Sequence, residues 1–169
     1  RIGRATMREG DVYITNDPWE GTGHLHDFTV VTPSFYQGRH VGFFACTAHV
    51  VDVGGRGFGA DAASVYEEGI HIPIMRFAHA GRVDETLIAI IRGNVREPDQ
   101  VVGDLYALAT CNEIGQRRLA DMLAEFGLDD LDGISDFILT NSRRATLERI
   151  AVNTPASSIV SHRGCDCIP

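Results

Sequence analysis

The chain contains no lysine; all 15 of its basic residues are arginine. This excludes a Schiff-base lysine, a pyridoxal-phosphate anchor and the lysine of a phosphate-binding loop. Any ATP chemistry therefore needs another chain or an unusual site. No apolar run approaches the ~20 residues that span a bilayer, and the N-terminus lacks a signal-peptide pattern. These absences predict a cytoplasmic protein with no membrane partner. The net charge of −8, with arginines scattered along the chain, excludes a nucleic-acid surface. Lacking an initiator methionine, the chain reads as a processed product or a fragment. Its 4 cysteines are too few for a disulfide framework. Cys46 lies three positions before His49 in an apolar stretch and reads as a small buried hydrophobe, as does Cys111 in a helical pattern. Cys165 and Cys167 form a lone Cys-x-Cys, which without a second pair is weak evidence for metal. The single tryptophan, Trp19, is expected to pack under a glycine-containing loop.

What is present is an ordinary globular composition, with 44% hydrophobic and 22% charged residues in 169. That length suits one domain or part of one. Asn16 to Gly55 organises it: two histidines are each followed three positions later by an aspartate, His24 with Asp27 and His49 with Asp52. Between them run apolar segments at 28–36 and 39–48, joined at Gln37-Gly38. Gly38 can take the positive φ of a tight turn, so the stretch predicts a β-hairpin. Tyr36 would then face Arg39, and the same register sets His49 opposite His26 and Val51 opposite His24. Both His-x-x-Asp pairs meet as a result. Imidazole and carboxylate together suit zinc, manganese or iron. Residues three apart on a strand face opposite ways, so His24 and Asp27 converge only if Gly21-Thr22-Gly23-His24 is a turn.

Around this hairpin the pattern predicts an α+β fold: an N-terminal antiparallel β-hairpin or sheet, strand-rich over 10–77, then a helical half over 84–150. Residues 1–152 form the domain, and 153–169 an irregular tail. DVYIT at 11–15 alternates like a strand and ends at Asn16-Asp17-Pro18, where both polar side chains suit a turn cap. Gly54-Gly55-Arg56-Gly57 reads either as a substrate loop, together with Asn16, or as a purely structural loop. A short helix is expected within 60–68. Pro73 reduces the apolar stretch 70–77 to an edge strand or an extended segment, and His71 and His79 carry no supporting pattern. Asp84 caps a helix through Val95 that is stopped by Pro98; another runs from Asp99 to Phe126, ended by Gly127, and a third from Gly133 to Ile150. Along the second, Val101, Leu105, Leu108, Leu119, Met122 and Phe126 form one side, with Asn112, Glu113 and Gln116 turned to a partner.

GDVYITNDPWEGTGHLHDFTVVTP, AHVVDVGGRGFG, EEGIHIPIMR, NVREPDQVVGDL and CNEIGQRRL, in that order, strongly resemble the hydantoinase B/oxoprolinase family, to which acetone and acetophenone carboxylase subunits are related. The resemblance runs from about Gly10 to Ile150. It implies a divalent metal, manganese or zinc, held by His24, Asp27 and His49. It also implies an ATP-using hydantoinase A-like partner subunit that binds ATP and Mg and phosphorylates a carbonyl or enolate oxygen. The activity expected is metal-assisted ring opening of a cyclic amide activated by that partner. The alternatives are ATP-dependent ketone carboxylation or a truncated, non-catalytic assembly module. Asp52 is expected to orient His49 or its neighbours through a hydrogen bond, and Asp52 and Asp17 are the candidates for catalytic roles. Family chains are several times longer, and from about Asn153 the sequence ceases to resemble them.

Overall fold

The computed structural model describes residues 2–21, 23–57 and 59–153. Most of the expected tail, including Cys165 and Cys167, lies outside the described residues. The chain divides into two compact units, Arg1–Asp129 and a second beginning at Asp130. The first holds a five-stranded antiparallel sheet followed by helices, and the fold is α+β. Its strands are β1 (Val12–Thr15), β2 (Asp27–Tyr36), β3 (Arg39–His49), β4 (Met75–His79) and β5 (Arg82–Val83), in the spatial order β3-β2-β1-β4-β5. Helix α1 (Val65–Glu68) is a single turn, α2 spans Glu85–Asn94 and α3 spans Pro98–Phe126.

The hairpin has the expected bounds. Gln37 and Gly38 both take positive φ, 49° and 78°, which matches the twist of the flanking strands. Its register differs from the ideal one. Tyr36 faces Arg39 and Phe35 faces His40, but Ser34 then faces Gly42, so Val41 is an inserted residue. Beyond this bulge every pair has moved by one, and His49 stands opposite Asp27 instead of His26. A one-residue slip exchanges the faces of a strand. The bulge therefore puts Asp27 and His49 side by side.

Alternation along β2 separates two faces. Phe28, Val30 and Thr32 are buried, whereas Asp27, Thr29 and Val31 between them are half-buried. The buried face meets α2 and α3 in a core that includes Ile14, Phe28, Val30, Phe77, Ile91, Val101 and Leu105. Each such side chain contributes about 1.5–3 kcal/mol on leaving water. Asn112 and Gln116 face this sheet, not a partner. Asn112 Nδ2 donates to Val30 O and Thr32 Oγ1, both at 3.1 Å, and Gln116 Nε2 donates to Pro33 O at 3.3 Å.

Asp84 caps α2 by accepting from the Thr86 and Leu87 amides. Pro98 opens α3, where its missing N–H costs nothing. Gly127 closes α3 in the left-handed conformation, φ 63°. Leu123, not Phe126, is the buried residue of the last turns; Phe126 is 67% exposed. Pro73 precedes β4, which consequently keeps its amides and pairs with both β1 and β5, so it is not an edge strand. Trp19 is 77% exposed instead of packed under the loop. Cys46 does pack against the core, donating from Sγ to Leu108 O at 3.3 Å, while Cys111 is exposed. Burial, and then the neighbouring Cys111, push the Cys46 thiol above its ordinary value. In the second unit, α4 (Asp132–Asn153) carries an Arg144–Glu148 ion pair and exposed Phe137, Ile138 and Leu139.

Candidate metal centre

Three donors converge at the end of the hairpin far from its turn. His24 and Leu25 lie in a bend between Gly23 and β2, which lets His24 point at the first residue of that strand. His24 Nε2 is 2.8 Å from Asp27 Oδ1, and His49 Nδ1 is 2.9 Å from the same oxygen. All three donor atoms fall within 4.8 Å of one another. Two ligands of one ion at about 2.1 Å sit roughly 3.0–3.4 Å apart, so the pairs to Asp27 need to open by a few tenths of an ångström, and a widest separation of 4.8 Å needs ring rotations of more than about an ångström, for these residues to hold a metal. The donor set, two imidazoles and a carboxylate, suits a borderline divalent ion. His24 and His49 are 32% and 45% exposed in their side chains, leaving an open side for further ligands.

His26 belongs to the surroundings of this cluster. Its ring stacks on His49 at 5.2 Å between centroids and lies 5.9 Å from His24. Burial first, and then the His49 and His24 rings, hold His26 below the ordinary imidazole value. Its carbonyl accepts from Val50 N at 2.8 Å, which extends the hairpin pairing past His49.

Asn16 ties the turn in place. Its Nδ2 donates to Leu25 O at 2.8 Å and Ile70 O at 2.9 Å, and its Oδ1 accepts from Ile72 N at 2.6 Å. From the opposite side Glu68 Oε2 accepts from Leu25 N at 3.2 Å. Sequence reading missed the role of Glu68, because it depends on α1 folding back over the turn. Asp17 caps its own turn through Trp19 N at 2.9 Å and contacts His71 Nε2 at 3.3 Å. The Trp19 amide, opposed by burial and aided by His71, holds the Asp17 carboxyl below its ordinary value.

The hydrogen bonds described for Asp52 go to residues other than His49. Asp52 accepts from Gly54 N at 3.1 Å and from the Arg96 amide, and it pairs with Arg96 Nη1 at 2.5 Å. Burial raises its pKa, but the Arg96 and Gly54 amides and the Arg96 charge outweigh this and the net direction is down. The neighbouring glycines sit where side chains would collide. A Cβ on Gly54 would lie 2.3 Å from Asn94 O, and one on Gly55 would lie 2.4 Å from Glu67 O. The Arg56 amide donates to Glu67 O at 2.9 Å, and its guanidinium reaches Glu67 and Asp61 O. These contacts hold segment 52–56 against α1 and against the end of α2 and the α2–α3 connection.

Comparison with known proteins gives a consistent set of likenesses. Residues 1–164 match the Hydantoinase B/oxoprolinase family. The B-type component of a putative D-/L-hydantoinase from Pseudomonas sp. is 30% identical over 86% of this chain and 25% of its own length. The beta component of the caprolactamase of Pseudomonas jessenii is 33% identical over 74% of this chain and 22% of its own. The crystal structure of the ATP-dependent caprolactamase from that organism superposes with a TM-score of 0.77 at 28% identity, covering 89% of this chain and 26% of the other. The chain thus spans about a quarter of the length of these two relatives.

Proposed function

The chain belongs to the hydantoinase B/oxoprolinase family, and from that premise we propose that it carries the metal-binding part of a subunit that opens a cyclic amide. An ATP-using partner subunit activates the amide, and His24, Asp27 and His49 hold a divalent ion beside it. The observation that carries this reading is the sharing of one Asp27 oxygen by two histidines, at 2.8 and 2.9 Å. Relatives named as components of a putative hydantoinase and of a caprolactamase support the substrate class.

A bound divalent ion would supply Lewis acidity, polarising a carbonyl or easing deprotonation of water. The chain's own residues position that chemistry. Asp27 orients both imidazoles, and the cross-strand pairing of Asp27 with His49 keeps two donors at a fixed spacing. Asn16 and Glu68 clamp Leu25, the residue after His24. With no lysine available, phosphate handling falls to the partner.

The test reconstitutes the complete protein with its ATP-using partner and follows ring opening of hydantoin and ε-caprolactam. ATP-dependent opening that needs both subunits is the expected result. Bicarbonate-dependent consumption of a ketone, without ring opening, would move the assignment to carboxylation. ATP turnover by this chain alone would contradict the division of labour.

A further inference from the structure

The sheet face that carries Asp27 and His49 also carries a cleft of about 390 Å³, within the range of small-molecule pockets. Its walls are Tyr13 of β1, Val31 of β2, Met7 of the N-terminal segment and Ile74. Thr29 lies in the same wall and Glu20 on the rim. Tyr13 pairs with Val31, so both point to this face. Thr29 is two residues from Asp27 on one strand, which separates them by roughly 6.6 Å. Across the strand pair Thr29 Oγ1 meets Thr47 Oγ1 at 2.8 Å, and Thr47 is likewise two residues from His49. The cleft and the three metal-binding candidates are therefore consecutive along a single surface.

The charge of that cleft is specific. Among the described residues lining it, none is arginine or histidine, and Glu20 is the charged one. Arg76, with its guanidinium 5.9 Å from the Tyr13 ring, is engaged by Asp11 at 3.6 Å and by Thr6 O at 3.4 Å. An apolar wall with an acidic rim accepts a neutral hydrocarbon ring and repels a carboxylate.

We propose that this cleft receives the hydrocarbon body of a neutral cyclic amide, with its carbonyl toward Asp27, and that Glu20 selects against rings bearing a carboxylate. The proposal rests on the ring-opening reading and adds the substrate's charge class to it. Met7, Tyr13, Val31 and Ile74 provide the apolar contact, and Thr29 stands between the ring and the histidines.

The test is equilibrium binding by calorimetry to the complete protein without ATP, so that no turnover intervenes. The probes are ε-caprolactam and 5-oxoproline, a five-membered lactam with a carboxylate. The native protein should bind ε-caprolactam in preference to 5-oxoproline. Val31→Trp, which fills the cleft, should weaken ε-caprolactam binding by at least about tenfold. Glu20→Arg, at an exposed position, should strengthen 5-oxoproline binding by about tenfold, the effect of one charge-assisted contact. Native preference for 5-oxoproline, or indifference of its binding to Glu20→Arg, would overturn the proposal. Binding that follows these expectations while the reconstituted enzyme opens no ring would sink the proposed function and leave the cleft assignment standing. Ring opening with binding unaffected by both variants would do the reverse.

Discussion

Asp27 and Asp52 are both aspartates three positions after a histidine, yet their surroundings give them different work. Asp27 touches two imidazoles, whereas Asp52 is taken up by Arg96 and Gly54. Arg96→Ala should therefore destabilise the protein by about 1–3 kcal/mol, because it strips a buried carboxylate of charged and hydrogen-bonded support. Urea midpoints of the two proteins would show this, and equal midpoints would contradict it. Asp11 gives a pH signature. It is fully buried, and burial alone would raise its pKa. The Ala80 amide, His79, the Arg8 amide and the Tyr13 hydroxyl outweigh that and hold it below the ordinary value. Its stabilisation is thus complete above the unfolded value of ~3.9 and disappears as pH falls through the lower folded value. Asp11→Asn should be less stable than the native protein at pH 7, and the gap should narrow once the pH is taken below the unfolded value of ~3.9. Urea unfolding on both sides of that value tests this; a constant gap would mean that the carboxylate charge is irrelevant. Neither role was legible in the sequence, since Asp11 and His79 are far apart along the chain and Arg96 lies in another element.

At the scale of elements, the turn and the strand bounds of the hairpin were legible to within a residue because Gln37-Gly38 and two apolar segments are local signals. The bulge at Val41 went unread, although Gly42 inside the strand is the kind of residue that marks one. The single inserted residue decides whether Asp27 or His26 meets His49. The turn itself retains a cost: Gln37, not a glycine or asparagine, sits at φ 49°. Gln37→Asn should raise stability by about 0.5–1 kcal/mol without altering the site, read as a shift in urea midpoint; an unchanged or lower midpoint would contradict the strained-turn reading. Helix α3 was recognised from its spacing and its terminal glycine, but its polar middle was misread. Asn112 and Gln116 look like an exposed patch until the sheet's carbonyls are placed beneath them. Gly115 marks the same contact, because a Cβ there would lie 2.6 Å from the Phe44 ring. Gly115→Ala should cost about 1–3 kcal/mol by pushing α3 off β3, and a variant as stable as the native protein would show that the ring gives way freely.

On the scale of the whole molecule, family membership was legible because five motifs stand in order, and residues 1–164 match that family. The separation at Asp129/Asp130 falls in the acidic, glycine-flanked stretch 127–133, which reads as a break between helices and not as a boundary between units. None of the described helices is long and apolar enough to cross a membrane. The open sheet face and the exposed Phe137, Ile138 and Leu139 lead to the expectation that this chain, expressed alone, self-associates. Light scattering after size exclusion would show this, and a monodisperse monomer would contradict it. The central claim is the metal centre, and it is tested most directly by counting ions. Elemental analysis of the complete protein should find one divalent ion fewer per chain after Asp27→Ala, His24→Ala or His49→Ala. His26→Phe, which keeps a ring against His49 but has no ligating nitrogen, should retain the full complement. Loss of the ion in His26→Phe with retention in His24→Ala, or an unchanged metal content in Asp27→Ala, would contradict the account.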